Sequence, residues 1–263
     1  MLFRSVMSFV SVSSYVSQWP SLITTETEIL ERQMASLESY WLMISNTLLI
    51  VFMIVSSMAI TSEKESGMVR YVLTHRARGW SMYLSKYLLI TSIAVYAVAV
   101  SSLAYYLVFA AMDLPMLSPG DILSAMVLPM MAVLTFCAIG LMVSALLNKK
   151  GAAIALGVVL FLGISMSFTM VVSMANEAAY DHPDWEWGLD EMDYMPGYYK
   201  TLIKMNPMVL ISGTEFLAEG EGALIGLAMI ATYLALGMII FSRERTECGL
   251  LRDLRSKFGG RKR

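Results

Sequence analysis

Six stretches of the 263-residue chain lack Asp, Glu, Lys and Arg and are mainly apolar: 5–25, 39–62, 87–112, 122–148, 151–176 and 222–242. Each has about the 20 residues that a helix rising ~1.5 Å per residue needs to cross a hydrocarbon layer about 30 Å thick. Backbone amides and carbonyls find no water in lipid, so these stretches are expected as helices. Sustained apolar–polar alternation is weak, which argues against a barrel of short strands. The pattern predicts an all-α integral membrane protein with six transmembrane helices. The first window is the most polar, with Ser5, Ser8, Ser11, Ser13, Ser14 and Ser17 ahead of Trp19-Pro20. It reads as a retained span, with an interfacial helix or a cleaved signal led by Arg4 as the alternatives.

Composition agrees: 57% of residues are hydrophobic and 15% charged, against about 25% charged in a domain clothed by water. Mean hydropathy is +0.63. The two cysteines, Cys137 and Cys248, are too far apart in sequence to suggest a disulfide framework or a zinc pair. A net charge of −2 says little, whereas the placement of the charges says much. Sixteen of the nineteen Lys and Arg residues fall at Arg4, in 61–86, at Lys149-Lys150 and after 242, all on one side of the predicted membrane. Sixteen of the twenty-one acids fall on the other side, with Arg32, Lys200 and Lys204. Positive residues concentrate in cytoplasmic loops, so both termini are predicted to be cytoplasmic. Residues 1–242 form the expected membrane domain and 243–263 a basic cytoplasmic tail.

The uncharged interiors narrow the chemistry. Ion-coupled carriers keep ionisable groups inside the membrane because such groups are expensive there and are retained for use. None of the six windows holds one, and the two histidines, His75 and His182, both lie in loops. No Ser/His pair or metal-peptidase motif can be assembled within the spans. The phosphate-cradling Gly-x-x-x-x-Gly-Lys-Ser/Thr motif does not occur, so the chain is not expected to cradle and hydrolyse ATP in that way; no catalytic, cofactor-binding or metal-binding residue is assigned to it. The 23 methionines sit mostly in the spans, where they read as flexible apolar filler rather than a copper pathway.

The loop 61–80 holds the richest pattern. Ser62 and Glu65 have capping-box spacing and, with Glu63, place acid at a helix start. Met68, Val69, Val72 and Leu73 then recur at helical spacing, which predicts a short amphipathic helix. Gly79 is expected as its left-handed stop, Trp80 in the headgroup layer and Ser81 as the cap of the third span. On residues alone this is equally a basic cytoplasmic connector.

The order Glu63, Glu65, Ser66-Gly67, an amphipathic turn, Arg70, Arg76, Arg78 and Lys86 resembles the signature loop of ABC-2 type ABC transporter permeases. Leu141-Met142-Val143-Ser144-Ala145-Leu146-Leu147 before Asn148-Lys149-Lys150-Gly151 is similar to that family's tight turn between the fourth and fifth spans. Met205-Asn206-Pro207-Met208 is similar to its Asn-Pro segment before the last span. His75-Arg76-Ala77-Arg78 lacks the proline common at this point in the family. The usual elbow helix is absent unless 1–19 fill that role. The resemblance implies the transmembrane subunit of an ATP-driven exporter in the plasma membrane, with a coupling helix between spans two and three. Glu63, Lys64, Glu65, Ser66, Gly67, Arg70, Arg76 and Arg78 would meet a separate ATP-binding-cassette subunit, present in two copies and carrying the ATP and Mg²⁺. A second permease chain and lipid complete the implied partners; nucleic acid is not among them. The alternative is a non-transporting anchor or assembly subunit of a larger membrane complex.

Residues 177–221 hold ten acids and two bases, a net of −8, interleaved with Trp185, Trp187, Tyr180, Tyr194, Tyr198 and Tyr199. They are expected to form an external helical cap whose rings sit at the lipid interface. Within it, 207–217 is too short to span and is expected as a re-entrant or surface helix. The tail places Leu250, Leu251, Leu254 and Phe258 on one face of a basic helix suited to an anionic leaflet.

Overall fold

A computed structural model describes residues 26–68, 79–111, 118–182, 194–218 and 220–259. Every regular element among them is helical: α1 (Glu26–Ala59), α2 (Thr61–Glu65), α3 (Gly79–Ala111), α4 (Pro119–Leu146), α5 (Lys150–Tyr180), α6 (Gly197–Met205), α7 (Val209–Ser212), a 3-10 turn (Thr214–Phe216) and α8 (Glu221–Gly259). Five stretches are long and apolar enough to cross a bilayer: Met43–Glu65, Gly79–Leu107, Gly120–Leu146, Lys150–Tyr180 and Glu221–Ser242. The expected first span, 5–25, lies outside the described residues.

The helices overrun the charge-free windows because a charge ends a window without ending a helix. α1 begins at Glu26, thirteen residues before its window, in a run of Glu, Ile, Leu and Arg that favours helix in water. α3 begins at Gly79 and passes through Lys86, whose ammonium is neutralised by Glu63. α8 runs unbroken for 39 residues, about 58 Å, so 243–259 of the expected separate tail continue the last span.

Local signals fare unevenly. Ser118 caps α4, its Oγ accepting from the Asp121 amide, and Pro119 occupies the first turn, where a missing N–H costs nothing. The Ser62–Glu65 capping box does not form. Ile60 keeps helical angles (φ −94°, ψ −39°), so the chain never leaves the helix long enough for Ser62 to cap it. Gly79 is not the left-handed stop either: it opens α3, placing Ser81 inside that helix, and among the described residues of this loop it is Gly67 that is left-handed (φ 77°).

α4 is the central helix, with 61% of its apolar window buried against 17–39% for the other four. It packs along α1 and α8 and touches α3, α5 and α7. Leu49 and Met53 of α1, Phe136 and Leu141 of α4 and Phe161 of α5 share one buried core. The α1–α4 contact is backbone-close: a Cβ on Gly140 would lie 2.8 Å from the Met53 carbonyl oxygen and nearer still to Ser56 Oγ. Small residues permit this approach where apolar surfaces gain nothing by leaving lipid. Outward faces carry Leu88, Leu89 and Tyr96 on α3 and Val159, Met166 and Met170 on α5, all exposed. So much exposed apolar surface suits a lipid surround.

Beyond α5 the chain folds back. Asn206 donates through its amide to the Ile164 carbonyl (3.0 Å) and Ser167 Oγ (3.1 Å), and its Oδ1 accepts from the Met208 amide (2.9 Å). That turn delivers Val209, Leu210 and Ile211 of α7 into the core against α4. Of the two expectations for this apolar piece, the surface helix is overturned: α7 is a short buried helix inside the bundle, beside the middle of α5. Lys204 grips both carboxylate oxygens of Glu221 (2.7 and 2.8 Å), tying α6 to the start of α8. Residues 183–193 of the expected cap lie outside the described residues.

Candidate functional site at the basic end of the bundle

The segment singled out by sequence begins where α1 ends. Four bonds hold that point to neighbouring spans. Ser144, buried in the last turn of α4, accepts through Oγ from the amides of Ile60 (2.8 Å) and Thr61 (3.0 Å). Lys64 Nζ donates to the Ala145 carbonyl (2.7 Å), one of the last carbonyls of α4 that no amide of its own helix reaches. The negative end of the α4 dipole favours a cation there. Glu63 pairs with Lys86 of α3, both side chains about three-quarters buried. Spans containing α1, α3 and α4 thus meet around α2, within the five residues Ile60 to Lys64.

Past the knot the chain turns outward. Ser66 Oγ donates to the Glu63 carbonyl (3.1 Å), and the Gly67 amide donates to the Lys64 carbonyl (3.1 Å). A left-handed φ at Gly67 ends the helix without the clash a Cβ would bring. Glu65, Ser66, Gly67 and Met68 are exposed. The segment is anchored on one flank and open on the other.

Of the expected site residues, Glu63 and Lys64 lie in the knot and Glu65, Ser66 and Gly67 on its exposed rim. Arg70, Arg76 and Arg78, with the rest of the expected amphipathic helix, lie outside the described residues. Sequence reasoning missed the contacts that Ser144, Ala145 and Lys86 make with this segment. Lys86 entered only through topology and the order of the loop, and Ser144 and Ala145 only within the turn 141–147, since no local pattern pairs positions 84 residues apart. Among the described residues no group of three His, Cys, Asp or Glu is placed to hold a metal ion.

Five helices long and apolar enough to cross a bilayer, lipid-suited outer faces and a charged knot at one end are the features of a multi-pass membrane protein. The family model for the ABC-2 family transporter protein matches residues 4–245, nearly the whole chain. The chain belongs to that family and is a transmembrane permease of the ABC-2 type. No curated protein matches it.

Proposed function

We propose that this permease moves a substrate across the plasma membrane, as an exporter, using ATP hydrolysed with Mg²⁺ by a separate ATP-binding-cassette subunit present in two copies. Two permease chains pair, each with six spans, cytoplasmic termini and an external cap over 177–221. The chain itself carries no catalytic residue and holds no cofactor or metal. Residues 63–78, including Arg70, Arg76 and Arg78, contact the ATPase. The observation that carries this reading is the knot. A rigid push on the exposed rim at Glu65–Gly67 reaches three spans through short, half-buried polar bonds, which is what converting partner closure into span movement requires. Packed interfaces switch between discrete arrangements, and a partner that binds one of them better shifts the population.

The test is purification of the native complex from membranes. An ATP-binding-cassette subunit should co-purify with the wild-type chain and fall about tenfold with Glu65→Lys combined with Gly67→Val, for about 1.4 kcal/mol of lost binding. Undiminished ATPase binding and stimulation in that variant would remove the coupling role. A complex with no ATPase would favour the anchoring alternative.

A further inference from the structure

Three buried polar atoms among the described residues have no hydrogen-bond partner, and one is the hydroxyl of Tyr83. Tyr83 is fully buried and heads the largest such side chains. A buried tyrosine hydroxyl normally finds an acceptor. One turn further along α3, Tyr87 does so, donating to the Leu134 carbonyl of α4 at 3.4 Å. The Tyr83 ring instead faces α8, its centroid 6.2 Å from that of Phe241. A Cβ on Gly237 would stand 2.6 Å from Tyr83 Cζ and closer still to the hydroxyl. The hydroxyl therefore fills a notch that exists only because residue 237 is glycine. Three residues beyond Tyr83, Lys86 carries the link to Glu63. The first three turns of α3 thus hold α8 through Tyr83, α4 through Tyr87 and α2 through Lys86.

We propose that Tyr83 and Gly237 form a two-position contact between α3 and α8. In the arrangement seen, the hydroxyl rests unpartnered in the glycine notch. In the second, reached when α3 is drawn along α8, it donates to a backbone carbonyl of α8. An unsatisfied buried hydroxyl raises the free energy of the first arrangement and so narrows the gap to the second. Displacement of one helix past another between two packed registers is an established form of switching. Tyr83 is a positioning residue: it meets α8, and it shares a helix end with the residue that feels the Glu63 segment. The two positions do not depend on the ATPase, although the trigger for moving between them rests on the proposed coupling.

The experiment uses the full chain without any ATPase, reconstituted in nanodiscs, with Cys248→Ser and spin labels at Leu89→Cys and Ile239→Cys, both exposed positions on α3 and α8. Wild type is expected to show two distance populations. Tyr83→Phe removes the unpartnered hydroxyl, so it should shift the ratio toward the arrangement seen by about tenfold and raise the thermal midpoint by a few degrees. Gly237→Ala fills the notch and should shift the ratio the other way. If Gly237→Ala fails to fold, Tyr83→Phe decides alone. A single distance population unmoved by Tyr83→Phe, or a lower midpoint in that variant, would overturn the proposal. A merely structural tyrosine with the same unpartnered hydroxyl would gain stability as well, so the distance populations, which it would leave single and unmoved, separate the two.

Discussion

Glu63, Lys64, Lys86 and Ser144 carry the account at the residue scale. Their bonds are individually modest: a half-buried ion pair is worth about 1 kcal/mol or less after desolvation and ordering. Their value lies in direction, since together they tie one short stretch, residues 60–64, to both α4 and α3. Exchanging the charges of the Glu63–Lys86 pair should restore most of what either single reversal removes, read as thermal midpoints of the purified chain around a double-mutant cycle. Independent, additive losses would mean the pair is incidental. Ser144→Ala leaves two buried amides without their hydroxyl acceptor and should destabilise by about 1–2 kcal/mol. Ser144→Thr keeps that oxygen and should retain more of it.

Close backbone packing rather than side-chain bonding governs the helices. Gly140 faces the Met53 carbonyl and Ser56 of α1, whereas a Cβ on Gly163 of α5 meets nothing within 4 Å. Gly140→Val should therefore lower the thermal midpoint sharply, by the equivalent of about 1–3 kcal/mol for an overpacked contact, and Gly163→Val should leave it nearly unchanged. Equal effects would contradict the packing described. This contrast also marks where the sequence was legible. Charge-free runs located all five described spans, because burial in lipid is written residue by residue. Helix ends were misplaced at Lys86 because a charge with a partner costs little, and the partner, Glu63, sits in another helix. The capping box at Ser62 failed for a related reason: Ile60 stays helical where the chain end is held by Ser144, a contact no local motif encodes. The Asn206-Pro207 turn was read as a family feature. Only the structure explains it, through the Asn206 bonds to Ile164 and Ser167 that drive α7 into the core.

On the scale of the whole molecule, the two ends of the bundle differ in kind. One is closed by the Lys204–Glu221 pair, below which Asn206 and the buried α7 fold into the bundle beside the middle of α5. The other gathers α2 against α3 and α4 and leaves an exposed rim. A fixed end opposite a handled end suits a permease driven from one side, with α4 as the axis the remaining spans pack around. The central claim is that an ATP-binding-cassette subunit grips the handled end at the rim of α2. Site-specific photo-cross-linking in native membranes, with a photoreactive residue at exposed Glu65, tests it most directly. The account predicts a covalent adduct with an ATP-binding-cassette subunit, strengthened or weakened by ATP. An adduct with lipid or an unrelated protein alone, or a residue 65 labelled only from the outer face of the membrane, would contradict it.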